Sequence, residues 1–155
     1  MMPHRPTKRD LSPNMEDYLE TIYLQGLEGV PAKVKHIADA MGVSKPSVTE
    51  ALSVLQDRGF VRHQKYGDVE LTEQGRSKAS EIYHRHRLFK LFFQAILAMP
   101  EDEAEDNACK VEHLVSETAV ERLEALLAFL EKTTSNGGPY RHMIQHFHRE
   151  LAEKD

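Results

Sequence analysis

The sequence predicts a mainly α-helical protein that carries a small β-hairpin in its N-terminal half. Apolar residues recur at helical spacing through most of the chain. A short glycine-containing turn joins two predicted helices between residues 34 and 58. Two short runs in which apolar and polar residues alternate follow directly. We therefore predict an N-terminal winged helix-turn-helix, with the hairpin as its wing, followed by an all-helical domain.

The N-terminal elements are marked by caps and glycines. Residues 1–12 are polar and contain two prolines, which predicts a flexible arm. Ser12-Pro13 has the form of a helix N-cap followed by proline in the first turn, and a first helix is predicted to Leu27. Gly42 ends a second predicted helix. Ser44-Lys45-Pro46 begins a third in the same way, and it runs to about Arg58.

The wing and the C-terminal helices follow in order. Residues 60–64 and 68–72 are predicted strands, with Gly67 in their connection. The remaining helices are predicted at about 73–98, 101–115, 116–131 and 140–153. The long helix of about 73–98 links the two halves. These elements predict a winged-helix domain at 13–75 and a helical domain at 76–155.

Composition narrows the class of protein. Hydrophobic residues make up 40% and charged residues 29% of the 155 positions, which is ordinary for a globular chain. The single cysteine excludes an intramolecular disulfide framework and fits a reducing compartment. No apolar run is long enough to span a bilayer, and the basic N-terminus is not followed by a hydrophobic segment. We expect a cytoplasmic protein with no signal peptide and no membrane partner.

Charge is distributed unevenly along the chain. Residues 1–90 carry 14 basic and 12 acidic side chains, whereas residues 91–155 carry 6 basic and 13 acidic ones. Within residues 31–90 the balance is 11 to 7 in favour of the basic side chains. The middle of the chain could therefore approach a polyanion, which the C-terminal part would repel.

The stretch richest in chemistry is Cys109-Lys110-Val111-Glu112-His113. On a helix its thiol, carboxylate and imidazole would share one face, as half of a site for a divalent transition metal. Taken alone, the stretch fits an ordinary half-buried helix better. Asp17 and Glu20 on the first predicted helix, and His86 on the apolar face of the long one, add further ligand-type groups. Buried polar groups need partners, and one metal ion could serve all of them.

Several ordered motifs resemble the DtxR/MntR family of metal-dependent transcriptional repressors. The matching segments are residues 14–23, 37–49, 71–75, 84–88 and 109–116, and the resemblance covers about 12–132. It implies a DNA-binding winged helix and a helical region that binds metal and dimerises, hence a double-stranded DNA operator and a second copy of the chain as partners. It implies a repressor of metal-uptake genes and no enzyme. The length after position 132 resembles the two-domain members, which lack an SH3-like third domain.

The resemblance also implies a set of metal ligands. By position they are Asp17, Glu20, His86, Cys109, Glu112 and His113, with Glu105 at an ancillary site. Asp17 is similar to manganese-type members and Cys109 to iron-type members. Hard carboxylates favour Mn²⁺, whereas a thiolate favours Fe²⁺, Co²⁺ or Zn²⁺. We expect Mn²⁺ or Fe²⁺ in the cell, with Co²⁺ or Zn²⁺ able to bind in vitro. Lys90 stands where iron-type members carry a carboxylate, which argues against an iron-type ancillary site.

The DNA-binding residues are predicted on the third helix, on the wing and beside them. The candidates are Lys33, Lys35, Ser44, Lys45, Pro46, Ser47, Thr49, Glu50, Arg62, Lys65 and Tyr66. Serine and threonine hydroxyls suit phosphates or base edges, and small residues near Pro46 suit thymine methyl groups. The basic residues suit phosphates, although any one of them could be an ordinary surface charge.

Two other functions fit part of the pattern. A winged-helix regulator that responds to a non-metal ligand or a protein partner would bind DNA without metal. A metalloenzyme could use a carboxylate-rich site with cysteine and histidine to activate water, but the sequence has no clear signature of a substrate pocket. His142 and His146 are four residues apart on the last predicted helix and could chelate an ion, and His148 lies near them. A surface or dimer helix is the simpler interpretation of these histidines.

Overall fold

The computed structural model describes residues 11–63, 67–134 and 139–153. These residues form seven α-helices and one two-stranded antiparallel sheet, which confirms the predicted fold class. The chain divides into two compact units, and the division falls between Tyr83 and His84, inside one helix.

The first unit contains three helices, the hairpin and the start of a fourth helix. Their bounds are α1 Pro13–Leu27, α2 Val34–Met41, α3 Lys45–Asp57, β1 Val61–His63, β2 Val69–Leu71 and α4 Glu73–Leu91. Ser12 caps α1 by accepting a hydrogen bond from the backbone N–H of Met15 at 3.4 Å. Of the predicted arm, residues 1–10 lie outside the described part of the chain, and Leu11 is buried in the core of this unit.

The turn between α2 and α3 has the geometry that the sequence predicts. Gly42 ends α2 with φ of 65°, a left-handed conformation that glycine adopts without steric cost. Ser44 then caps α3 by accepting a hydrogen bond from the N–H of Ser47 at 3.3 Å. Ile37 of α2 and Leu52 of α3 are fully buried in the same core. The helix pair is therefore fixed by its caps and by a shared apolar face.

The two strands of the hairpin are each shorter than predicted, and Thr72 anchors one end of the hairpin. In the register of β1 and β2, Arg62 lies opposite Glu70 and is exposed. The Thr72 hydroxyl donates a hydrogen bond to the carbonyl of Gly59 at 2.6 Å. A Cβ at Gly75 would lie 1.8 Å from the carbonyl oxygen of Phe60, so only glycine allows α4 to approach the backbone before β1 this closely.

Every regular element in the described part of the second unit is helical. After the end of α4 it contains a π-helical turn at Phe92–Ile96, then α5 Glu101–Val111, α6 Glu117–Thr134 and α7 Pro139–Ala152. Its core includes Leu88, Phe89, Ala108, Val120 and Leu127. These residues hold α4, α5 and α6 against one another.

Two predicted helices end earlier than expected. The helix of about 73–98 is α-helical only to Leu91, where it widens into the π-helical turn, and the N–H of Leu97 bonds the carbonyl of Phe92 at 3.2 Å. The helix of 101–115 ends at Val111, and Glu112 is its C-cap. There the N–H of Leu114 bonds the carbonyl of Val111 at 3.0 Å, a tight turn of the kind that closes helix ends.

Candidate metal centre and DNA-binding surface

His86 is the central residue of a polar cluster in the second unit. It lies on α4, and its side chain is 8% exposed. Nδ1 is 2.8 Å from Oε2 of Glu112, and Nε2 is 3.1 Å from Oε1 of Glu105. Both ring nitrogens therefore face a carboxylate, an arrangement that suits an imidazolium or a metal-binding imidazole.

Cys109 adds a thiol to the same cluster. Its Sγ lies 3.8 Å from Nδ1 of His86, and the cysteine is free and exposed. One ligand atom each from His86, Glu105 and Cys109 lie within 4.8 Å of one another. Nitrogen, oxygen and sulfur donors at such separations can share one divalent transition-metal ion. The donor set therefore fits a metal ion. Its thiol favours a softer ion than an all-oxygen site would select.

Glu112 and His113 extend the cluster at the end of α5. The side chain of Glu112 is 1% exposed, and its Oε1 lies 3.2 Å from Nε2 of His113. Because α5 ends at Val111, these two side chains are presented by a turn and not by a continuous helical face. The expectation that Cys109, Glu112 and His113 share one helix is therefore wrong for the last two, although the C-cap Glu112 keeps helical backbone angles.

The charges of the cluster are tightly balanced. Hydrogen bonds with Cys109 and Glu112, together with the negative charges of Glu112 and Glu105, raise the pKa of His86 to about 11, although burial opposes this. Burial opposes the ionised form of Glu105, but Lys90 and His86 outweigh it and lower the pKa of that carboxyl. These contacts favour the protonated form of His86 in the metal-free chain. A metal ion must displace its proton.

Lys90 closes one side of the cluster. Its Nζ lies 2.9 Å from Oε2 of Glu105 and 3.2 Å from Oε1 of Glu101. Glu101 is a contact that the sequence analysis did not single out. The signal was present, because Glu101, Glu105 and Cys109 follow one another at four-residue intervals on α5.

Asp17 and Glu20, the other two predicted ligands, lie on α1 in the first unit. They are three residues apart, so that their side chains leave the same part of the helix. Asp17 is half-buried, and Glu20 is 9% exposed. Burial of a carboxylate is costly unless a charge or hydrogen bonds compensate it.

The predicted recognition helix is α3, and its N-terminal half is open to solvent. The exposed candidates on it are Ser44, Lys45, Pro46, Ser47, Thr49 and Glu50. The Ser44 and Ser47 hydroxyls lie 2.8 Å apart, and the Thr49 hydroxyl donates to the carbonyl of Lys45 at 3.0 Å. These hydrogen bonds orient three hydroxyls at the start of α3, where Lys45 and Glu50 are also exposed.

The other DNA-binding candidates lie around α3. Lys33 precedes α2 and is 3.6 Å from a carboxylate oxygen of Asp68, while Lys35 is exposed on α2. Arg62 is exposed on β1. Lys65 and Tyr66, which were predicted on the wing, lie outside the described residues.

The histidines of α7 have separate roles. His148 is held by its Nε2, which lies 3.0 Å from the carbonyl oxygen of Ile96. Nε2 of His146 lies 4.0 Å from Glu150, and both side chains are exposed. His148 is thus a packing contact between α7 and the π-helical turn.

Among the residues described, no helix combines the length and the apolar character that crossing a membrane requires.

Comparison with protein-family models gives two adjoining matches. Residues 10–69 match the N-terminal DNA-binding domain of the iron-dependent repressors. Residues 72–140 match their metal-binding and dimerisation domain. The gap between the two matches, residues 70 and 71, falls within β2.

Individual relatives agree with these matches. An uncharacterized HTH-type transcriptional regulator of Methanocaldococcus jannaschii is 35% identical over 79% of this chain and 96% of its own length. The HTH-type transcriptional regulator MntR of Bacillus pumilus is 31% identical over 79% of this chain and 84% of its own.

A solved structure is similar in fold as well. The manganese regulator SloR shows 36% identity and a TM-score of 0.68, over 77% of this chain but only 55% of that one. The chain therefore spans about half the length of this structural relative. The two sequence relatives are regulators of transcription, and the structural relative is a manganese regulator. With both domain models matched in order, the chain belongs to the DtxR/MntR family of metal-dependent transcriptional repressors.

Proposed function

We propose that this chain is a metal-activated repressor that binds operator DNA as a homodimer and controls genes for metal uptake. The activating ion is Mn²⁺ or Fe²⁺. The observation that carries the proposal is His86, whose two ring nitrogens face Glu112 at 2.8 Å and Glu105 at 3.1 Å beside the Cys109 thiol. A buried imidazole between two carboxylates is costly to assemble for stability alone.

The residues that would hold the ion come from both units. His86, Cys109, Glu112 and His113 belong to the second unit, and Asp17 and Glu20 of α1 would complete the set. A bound divalent ion would supply the positive charge that lets these carboxylates lie close together. Without it, like charges repel and favour separation of the carboxylates.

Shared ligands would couple metal affinity to DNA affinity. α1 shares its core with α2 and α3, so the position of the recognition helix follows that of Asp17 and Glu20. In a dimer, two recognition helices must lie about 34 Å apart to enter successive major grooves. Ligation by both units would favour arrangements with that spacing, and DNA would in turn tighten metal binding by the same factor.

The choice between Mn²⁺ and Fe²⁺ depends on Cys109. The matching family models are those of iron-dependent repressors. Of the relatives, MntR is a transcriptional regulator and SloR is a manganese regulator. Asp17, Glu20 and Glu112 offer hard oxygen donors, which suit Mn²⁺, whereas the thiolate of Cys109 suits softer ions. We propose that this single side chain sets the selectivity of an otherwise oxygen-rich site.

The dimer proposal has support in the second unit. Leu126 and Phe129 on α6 are 44% and 49% exposed, and Met143 and Phe147 on α7 are 58% and 41% exposed. Phe129 also meets the ring of Tyr140 edge-on, with ring centroids 5.2 Å apart. An exposed apolar surface across two helices fits association with another copy of the chain.

The experiment that tests the proposal measures metal binding and DNA binding together. Operator duplexes are first selected from a random-sequence pool in the presence of Mn²⁺. The purified chain is then titrated onto them with Mn²⁺, with Fe²⁺ under anaerobic reducing conditions, and with a chelator. Tight binding only with metal supports the proposal. Equal binding with the chelator would point to a regulator of another kind.

A further inference from the structure

Lys90 contacts Glu105 and, unlike His86, is not a metal-ligand type of residue. It lies one helical turn after His86 on α4, and its side chain is 27% exposed. Its ammonium is 2.9 Å from Oε2 of Glu105 and 3.2 Å from Oε1 of Glu101. It therefore bridges two carboxylates that are four residues apart on α5.

Glu105 uses its two oxygens differently. Oε1 faces Nε2 of His86 at 3.1 Å, whereas Oε2 faces the ammonium of Lys90 at 2.9 Å. A carboxylate can bridge two cations, one on each oxygen. Here one oxygen is directed to the imidazole and thiol, and the other is already occupied by a positive charge.

We propose that Lys90 is a built-in cation of this centre, which holds Glu105 as a one-oxygen ligand and occupies the position where a second divalent ion would bind Glu101 and Glu105. This inference rests on the proposed metal-binding function. It concerns the number of ions, and it gives Glu105, which the resemblance places at an ancillary site, a role at the centre around His86.

The physical reason is competition for the same oxygens. An ammonium is a compact point charge with three donors, and Lys90 directs two of its contacts to Glu101 and Glu105. A divalent ion at this edge would have to displace the ammonium and would lie close to its charge. Without Lys90, two carboxylates at four-residue spacing would repel each other and attract a cation in its place.

The first test counts bound ions. Lys90→Glu replaces the ammonium by a third carboxylate beside Glu101, Glu105 and His86. Mn²⁺ per chain is measured by equilibrium dialysis with metal analysis, for the wild type and the variant. We expect Lys90→Glu to bind one ion more per chain than the wild type.

Lys110→Glu is the matched control. Lys110 is an exposed lysine of α5 that pairs with Asp106 on the same helix, so its reversal makes the same charge change away from His86. Its ion count should equal that of the wild type. An unchanged count in Lys90→Glu, or the same gain in both variants, would overturn the inference. A wild-type chain that binds no Mn²⁺ would instead defeat the proposed function.

A second measurement does not depend on charge reversal being tolerated. If Lys90 positions Glu105, then Glu105→Gln should weaken Mn²⁺ binding about tenfold in the wild type and no more than about threefold in a Lys90→Gln background. The general effect of losing a positive charge cancels in this double-mutant cycle. Equal losses in the two backgrounds would show that Lys90 does not position Glu105.

Discussion

Nδ1 of His86 lies 2.8 Å from Oε2 of Glu112, and the two side chains are 8% and 1% exposed. The two residues are separated by 26 positions and come from α4 and the end of α5. A buried carboxylate and a buried imidazole meet here at the centre of the second unit's polar cluster.

Glu112→Gln should abolish metal activation while the fold is retained. The amide keeps the shape of the carboxylate but loses its charge and one acceptor oxygen. We expect Mn²⁺ affinity to fall by about 100-fold or more, the upper end of what changes around metal ligands cost. Isothermal titration calorimetry measures the affinity, and circular dichroism checks the fold. Glu103→Gln, an exposed change on α5, is the control and should bind as the wild type does.

Cys109→Glu should shift selectivity towards Mn²⁺. The change exchanges a soft sulfur donor for a hard oxygen donor at the same position. The measurement is the ratio of Mn²⁺ to Co²⁺ affinities, which needs no protection from air oxidation of iron. We expect the ratio to rise about tenfold or more in the glutamate variant. If the ratio is the same in the wild type and in Cys109→Glu and Cys109→Ser, the thiol is not a ligand.

Lys45→Ala should weaken DNA binding and leave metal binding unchanged. Lys45 is exposed at the first turn of α3, where we predict contact with a phosphate. Loss of one phosphate contact should reduce the slope of log affinity against log salt by about 1. Fluorescence anisotropy at several salt concentrations gives the slope. Lys132→Ala on α6 is the control, and a similar loss there would show a general effect of charge.

Gly75→Ala and Gly26→Ala should change stability in opposite directions. A Cβ at Gly75 would clash with the carbonyl of Phe60, whereas nothing lies within 4 Å of one at Gly26 in α1. We expect Gly75→Ala to lower the free energy of unfolding by about 2 kcal/mol or more. Gly26→Ala should raise it by about 0.5–1 kcal/mol. Urea unfolding of the metal-free chain measures both, and equal effects would contradict the placement of α4 against Phe60.

Local chemistry explains why much of the fold can be predicted from the sequence. Ser12-Pro13 and Ser44-Lys45-Pro46 begin helices for two reasons. The serine hydroxyl accepts a hydrogen bond from a backbone N–H of the first turn, and the proline in that turn has no N–H that needs a partner. Gly42 ends α2 because it can adopt positive φ. The expected helix-turn-helix therefore forms where its caps and its glycine turn lie.

The deviations arise where no local signal exists. The apolar stripe continues through Phe92–Ile96, so periodicity alone does not reveal the π-helical turn. The end of α5 at Val111 is likewise not marked by glycine or proline. The contact of Lys90 with Glu101 depends on how α4 and α5 pack, which spacing within one helix cannot give. For the ligand set, the sequence offers the right residue types, but the tertiary fold decides that His86 lies between Glu105 and Glu112.

The most direct test of the central claim is a DNA titration of the wild type and Glu112→Gln, each with Mn²⁺, with anaerobic Fe²⁺ and with a chelator. The central claim is that metal activates DNA binding, so the wild type should bind its selected operator at least about 100-fold more tightly with one of these ions than without, a coupling of ~2.7 kcal/mol. Glu112→Gln should bind equally weakly under all three conditions. Metal-independent binding by the wild type, or full metal activation of the variant, would contradict it.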